Sequence, residues 1–287
     1  MTPIRSPLKF AVIGNPITHS LSPLLHRSVF KQLKLDAEFS KVECVGDELS
    51  NLINRLKAGD WNGINVTIPF KRTIIPFLDA LNPRAKTIGS VNCVIQDDGF
   101  LTGYNTDWYG FSMLLTLNHV KVSRNSFIVL GAGGAAYSIV YALLREGAAT
   151  VSVVNRTPKN SNRLKEKLSS VQGDSGLDSC QINDLPGLIR DASVIINTTP
   201  VGMGALLNQS IISEKGISSS HTLIDIIYRP LKTEFLKLGE MAGAKIINGM
   251  DMFLYQGLAS LDIWMKYRIS DRVNVNELKK ILESQSC

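Results

Sequence analysis

Short β-branched runs alternate with helical patterns along the whole chain. In order they are "KFAVIG" (9–14), a helix from Ser22, "INVTIPF" (64–70), "VNCVI" (91–95), a helix from about Trp108, and "SFIVLG" (126–131). A helix from about Gly134 follows, then "TVSVVN" (150–155), "SVIINT" (193–198), "TLIDII" (222–227), "AKIIN" (244–248) and a final helix. That alternation predicts an α/β architecture with mostly parallel sheets. No internal repeat interrupts it, and the polar "SSVQGDSGLDSCQ" (169–181) reads as a surface loop before a strand.

Four stretches depart from plain core patterning. In "THSLSPLLH" (18–26), Ser22 before Pro23 is a helix start, with its hydroxyl as cap. With Ser20 two residues earlier on an extended segment, and Leu21 turned to the core, two hydroxyls would instead face one spot at a helix N-terminus, a place that favours a small carboxylate. In "NGINVTIPFK" (62–71), Ile64, Val66 and Ile68 alternate with Asn65 and Thr67, so one strand face carries an amide and a hydroxyl, with Lys71 just beyond. Parallel strands are usually apolar on both faces, so this predicts either a ligand crevice or an exposed strand end. Asn92 interrupts the "GSVNCVI" strand, and Asp107 in "GYNTDWYG" precedes a helix as a cap or a functional acid. Gln256 shares a helix face with Met252, Phe253, Ala259 and Ile263 and needs partners if buried.

The clearest motif is "SFIVLGAGGAAYSIVYALLREGAATVSVVNRT" (126–157): a strand, a glycine turn, a helix and a second strand, the span of a dinucleotide-binding unit. Gly131 allows the tight turn, Gly133 lets the backbone approach a pyrophosphate, Gly134 opens the helix, and Ala136 fills the third position with a small residue. NAD sites usually place a carboxylate at the end of the second strand. This chain has Asn155, Arg156 and Thr157 there, with Lys159 after them. A guanidinium fork suits a 2′-phosphate, so NADP is the expected cofactor.

Composition narrows the class. The 287 residues, 44% hydrophobic, are enough for two domains with full cores. Lys and Arg exceed Asp and Glu by 31 − 25 = 6, but the basic residues are dispersed, so no nucleic-acid footprint is expected. Mild positive charge suits anionic ligands. Cys44, Cys93, Cys180 and Cys287 have no paired spacing, so no metal site is expected and a reducing cytoplasm fits. Neither a signal peptide nor a membrane span is visible.

Taken together, "GNPITHSLSP", "NVTIPFK", "GSVNCV", "GYNTD", "GAGGAA", "NRT", "TTPVGM" and "NGMDMFLYQ" resemble, in order and spacing, the motifs of shikimate dehydrogenases. The resemblance covers nearly the whole chain. It implies an α/β substrate domain over 1–107 plus 251–287, a Rossmann-like NADP domain over 108–250, and a cleft between them. It implies reversible NADPH-dependent reduction of 3-dehydroshikimate to shikimate. Ser20 and Ser22 would bind the carboxylate, with Tyr228 of "DIIYRP" nearby, and Asn65, Thr67, Asn92, Asp107 and Gln256 would hold ring hydroxyls. Lys71 and Asp107 resemble the catalytic pair. Ala135, Thr199, Met203 and Gly249 join the cofactor contacts. The partner is the small-molecule substrate, in a monomer or homodimer. The alternatives are a quinate/shikimate dehydrogenase of broad specificity and a non-catalytic NADP-binding protein. Two positions depart from the family pattern: Asn160, where many relatives carry another arginine, and Asp251, which replaces a small or apolar residue.

Overall fold

The computed structural model describes residues 7–171 and 173–286. Up to Thr106 the elements are β1 (Leu8–Gly14), α1 (Ser22–Leu33), β2 (Ala37–Glu43), α2 (Leu49–Lys57), β3 (Gly63–Val66), β4 (Ala80–Leu81), α3 (Pro83–Ile88), β5 (Cys93–Asp97) and β6 (Phe100–Tyr104). Next come α4 (Asp107–Leu117), β7 (Ser126–Leu130), α5 (Gly134–Arg145), β8 (Thr150–Val154), α6 (Pro158–Leu168) and β9 (Gly176–Cys180). The remainder is α7 (Leu185–Asp191), β10 (Val194–Asn197), β11 (Thr222–Asp225), α8 (Glu234–Met241), β12 (Lys245–Ile247), α9 (Met250–Met265) and α10 (Val275–Glu283). Two compact units result. One ends at Thr106 and resumes over Gln256–Leu282; the other holds Asp107–Tyr255 and the chain end from Glu283, so the division falls inside α9.

The first unit carries a six-stranded sheet in the order β2-β1-β3-β5-β6-β4. Three of its five pairings are parallel, β1 with β2 and with β3 and β6 with β4, while β5 runs antiparallel to both β3 and β6. The β5–β6 pairing is antiparallel because a two-residue turn joins the strands, Asp98 (φ 49°) and Gly99 (φ 81°), whose left-handed residues match the twist of a tight hairpin. "INVTIPF" does not continue as one strand. β3 ends at Val66, Phe70 N–H closes a turn onto Thr67 O (2.9 Å), and Ile68 is 53% exposed. On one face Trp264 of α9 stacks on Phe10 (4.7 Å, 15°) and donates from Nε1 to Val94 O (2.9 Å). A Cβ on Gly63 would lie 2.4 Å from that Nε1, so the bare glycine makes the contact possible. On the other face Leu52, Ile53 and Leu56 of α2 pack on Ile64, Val66 and Leu101.

The second unit has an all-parallel sheet, β12-β11-β10-β7-β8-β9. The chain starts at the centre with β7, moves out to β9, and returns to β10 on the other side, the doubly wound order whose ligands bind where the direction reverses. Phe235 and Leu236 of α8 and Leu185 and Ile189 of α7 cover Ile195 and Leu223 on one face. The "SSVQGDSGLDSCQ" segment is not all loop. Its last residues form β9, an outer strand parallel to β8, polar because only Leu177 turns fully inward. Among the described residues no helix is long and apolar enough to cross a membrane.

Candidate functional site

The candidate residues fall into two groups, one in each unit. In the first unit, Ser20 and Ser22 are brought together, with their hydroxyls 3.1 Å apart. The capping role is the reverse of the one expected. The N-cap of α1 is Leu21, whose φ −89°, ψ 2° is not extended, and no side chain caps from there. Ser22 lies inside the helix, and its N–H donates to Ser20 Oγ (3.2 Å). Ser20 therefore carries the helix-start hydrogen bond, and Ser22, 6% exposed, is held against it.

At the carboxyl end of β3, Asn65 is buried and donates to Asn92 O (3.1 Å) and Ser260 Oγ (2.9 Å). Both amide hydrogens are thereby used. Its Oδ1 is buried with no hydrogen-bond partner among the described residues. Asn92 does not interrupt a strand; it immediately precedes β5. There it donates to Thr106 Oγ1 (2.8 Å) and Gln256 Oε1 (3.1 Å), and its Oδ1 accepts from Thr106 N–H (2.6 Å). Gln256 is half-buried, and Ser260, one turn on, donates to its carbonyl (3.0 Å). Lys71 is half-buried in the turn after β3, where its carbonyl accepts from Val91 N–H (2.7 Å) and so joins it to the segment before β5 that bears Asn92. Thr67 is close by, in space that Gly14 leaves open: a Cβ there would meet the threonine methyl at 2.4 Å. Sequence reading missed three members of this group: Thr106, Ser260 and His26. Ser260 was legible as the residue four beyond Gln256 on one helix face. His26 is fully buried, stacked on Phe39 (4.1 Å, 8°) with Trp264 at 5.5 Å. Burial drives its pKa down to about 3, opposed by the neighbouring Asn65 amide, so the ring is neutral.

In the second unit, Gly131 follows β7 with φ 106°, and a Cβ there would meet Thr198 Oγ1 and the Thr199 methyl, both at 2.8 Å. Gly133 is different. A Cβ on it would meet nothing within 4 Å, and it stands at the N-terminus of the twelve-residue α5, which has no side-chain cap. An open backbone at an uncapped helix start is a cradle for an anion. Gly134 and Ala135 form the first turn of α5. Past β8, Asn155 donates to Thr157 O (2.9 Å), while Arg156, Thr157 and Lys159 are exposed, with no carboxylate from 155 to 160. Thr199 and Met203 lie on the loop after β10. Thr199 donates its N–H (3.1 Å) and hydroxyl (2.8 Å) to Asn197 Oδ1. Gly249 is forced to be glycine, because a Cβ would lie 2.0 Å from Ile226 O. Asp107 is buried in the first turn of α4, and Tyr228 stacks on Phe253 (4.2 Å, 27°). Tyr228 and Asp107 thus belong to the second unit, and Ser20, Ser22 and Lys71 to the first. Asp251, unexplained by sequence, accepts from Asn118 Nδ2 (3.3 Å) and sits in the first turn of α9, where a negative charge is favourable. Asp225 also escaped notice. Burial raises its carboxyl to about 6 against the opposing hydrogen bonds from Thr233, Ile227 and Asn197. Among the described residues no three His, Cys, Asp or Glu side chains gather as a metal site.

Comparison with known proteins gives a consistent picture. Residues 12–94 match the family described as shikimate dehydrogenase substrate binding domain, and residues 115–240 match shikimate / quinate 5-dehydrogenase. A shikimate dehydrogenase (NADP(+)) of Carboxydothermus hydrogenoformans is 39% identical over 88% of this chain and 90% of its own. The Dehalococcoides mccartyi enzyme of the same name is 36% identical over 96% of both chains. The crystal structure of shikimate 5-dehydrogenase from Thermus thermophilus in complex with NADP(H) and shikimate superposes with a TM-score of 0.84, at 29% identity, covering 97% of this chain and 99% of that one.

Proposed function

Because the chain belongs to the shikimate dehydrogenase family, we propose that the residues described above divide the reversible NADPH-dependent reduction of 3-dehydroshikimate to shikimate among themselves as follows. The observation that carries this reading is the contrast between Gly131, closed by Thr198 and Thr199, and Gly133, open at the start of α5. The first gives the turn and the second the room for a pyrophosphate, received over Gly133, Gly134 and Ala135. Arg156, with Thr157 and Lys159, takes the 2′-phosphate, and Asn155 fixes the strand exit that presents them. Thr199, Met203 and Gly249 line the remaining length of the cofactor. NADPH, when bound, supplies the hydride.

Every other step belongs to side chains of this protein. Lys71 delivers a proton to the carbonyl oxygen and stabilises the developing alkoxide. Asp107, the other member of the catalytic pair, orients a ring hydroxyl. Ser20 and Ser22, with Tyr228, receive the carboxylate, Ser22 being held for it by Ser20. Thr67, Asn92 and Gln256 take ring hydroxyls. Asn65, whose amide hydrogens are spent on Asn92 and Ser260, has only Oδ1 to offer and otherwise holds Asn92 in place. The free thiols Cys44, Cys93 and Cys180 fit a reducing cytoplasm. Lys71→Ala tests the assignment: turnover should fall on the order of 100- to 10,000-fold with NADPH affinity retained, as for loss of a general acid. Near wild-type turnover would defeat it.

A further inference from the structure

One buried carboxylate ties together three loop exits of the second unit. Asp225 ends β11 with no exposed surface. Its oxygens accept from Asn197 Nδ2 (3.2 and 3.1 Å), Ile227 N–H (3.0 Å) and Thr233 Oγ1 (2.6 Å). Each donor governs a different segment. Asn197 ends β10, and its other amide atom, Oδ1, takes the N–H and hydroxyl of Thr199, the residue whose methyl stands against Gly131. Ile227 is the residue whose carbonyl receives Gly249 N–H (3.0 Å). Thr233 caps α8, its hydroxyl oxygen accepting from Leu236 N–H (3.4 Å).

We infer that Asp225 is a positioning residue for the cofactor, fixing Thr199 through Asn197 and the Gly249 approach through Ile227, although it lies behind the loops that touch the cofactor. The geometry leaves Asn197 only one orientation. Its Nδ2 must face the carboxylate and Val201 O (3.0 Å), which turns Oδ1 toward Thr199. A neutral amide at 225 would present an N–H to groups that are themselves donors, so the Asn197 amide would lose the partner that sets its direction and Thr199 would be released. This rests on the cofactor reading above.

The test is a double-mutant cycle read by NADPH fluorescence titration, with thermal unfolding and steady-state kinetics alongside. Asp225→Asn and Thr199→Val should each weaken NADPH by about tenfold or more, and the double variant should be no more than about twofold worse than the poorer single, because the two act along one chain of contacts. KM for NADP should rise while kcat at saturating cofactor stays within about threefold, a split that general loss of folding does not produce. Losses that multiply, or an Asp225→Asn protein that binds NADPH normally, would overturn the inference. If wild type itself fails to bind NADPH, the cofactor reading falls and this one with it. Should Asp225→Asn not fold, the same cycle with Thr233→Val, which leaves the carboxylate but strips its shortest hydrogen bond, decides by the same criteria.

Discussion

Acidification should loosen the first unit through His26. The ring has no exposed surface and titrates at about 3 rather than 6.5. Between those values the unfolded chain binds a proton that the folded chain refuses. The stability this group contributes is therefore complete above pH 6.5 and is lost as pH falls toward 3. The full loss is about 5 kcal/mol, of which about 3 kcal/mol is gone by pH ~4.5. Asp225 works in the opposite direction. Its carboxyl, raised from 3.8 to about 6 by burial, takes a proton in the folded state first, so the second unit gains about 2 kcal/mol on reaching the same pH. The two oppose each other and leave a net loss of about 1 kcal/mol, so a single pH profile would not separate them. Urea unfolding of wild type and His26→Leu near pH 7.5 and 4.5 separates them. Tryptophan fluorescence favours the first unit, which holds Trp61 and Trp264 while the second holds Trp108. Wild type should lose about 3 kcal/mol more than His26→Leu over this interval. Equal losses would refute the argument.

Two further predictions address the cofactor. Arg156→Ala should weaken NADP by about 10- to 150-fold, as for a lost charged hydrogen bond, and leave NAD nearly unaffected; the ratio of kcat/KM with the two cofactors, in wild type and variant, checks it. The glycine turn predicts a dissociation of effects: Gly133→Val should impair NADPH binding with little change in Tm, since its Cβ meets no neighbour, whereas Gly131→Ala should lower Tm, having both φ 106° and contacts at 2.8 Å against it.

What could be read from sequence was what local chemistry decides. The β7–α5–β8 unit was legible because strand, glycine turn and helix follow each other within thirty residues or so. The β5–β6 hairpin was equally local, with Asp98-Gly99 as its turn, and went unread because "FLTGY" was not recognised as a strand. β9 was hidden for a different reason. Its polar sequence has weak strand preference, and pairing along β8 overrides it. The serine pair was found but its roles exchanged, since which hydroxyl caps α1 depends on the backbone at Leu21. Asp225 and His26 could not be found from spacing alone. The donors around Asp225 come from up to 28 residues away, and the rings around His26 come from α1, β2 and α9. Burial of a lone acid or histidine is a property of the assembled unit.

The most direct test of the account is steady-state oxidation of shikimate by the wild-type protein, set beside quinate, with NADP and NAD each as cofactor. The account predicts turnover with shikimate and NADP, with kcat/KM highest for that pair. Comparable efficiency with quinate or with NAD would point to a broad-specificity enzyme, and NADPH binding without turnover on either substrate would contradict the catalytic role given to Lys71 and Asp107.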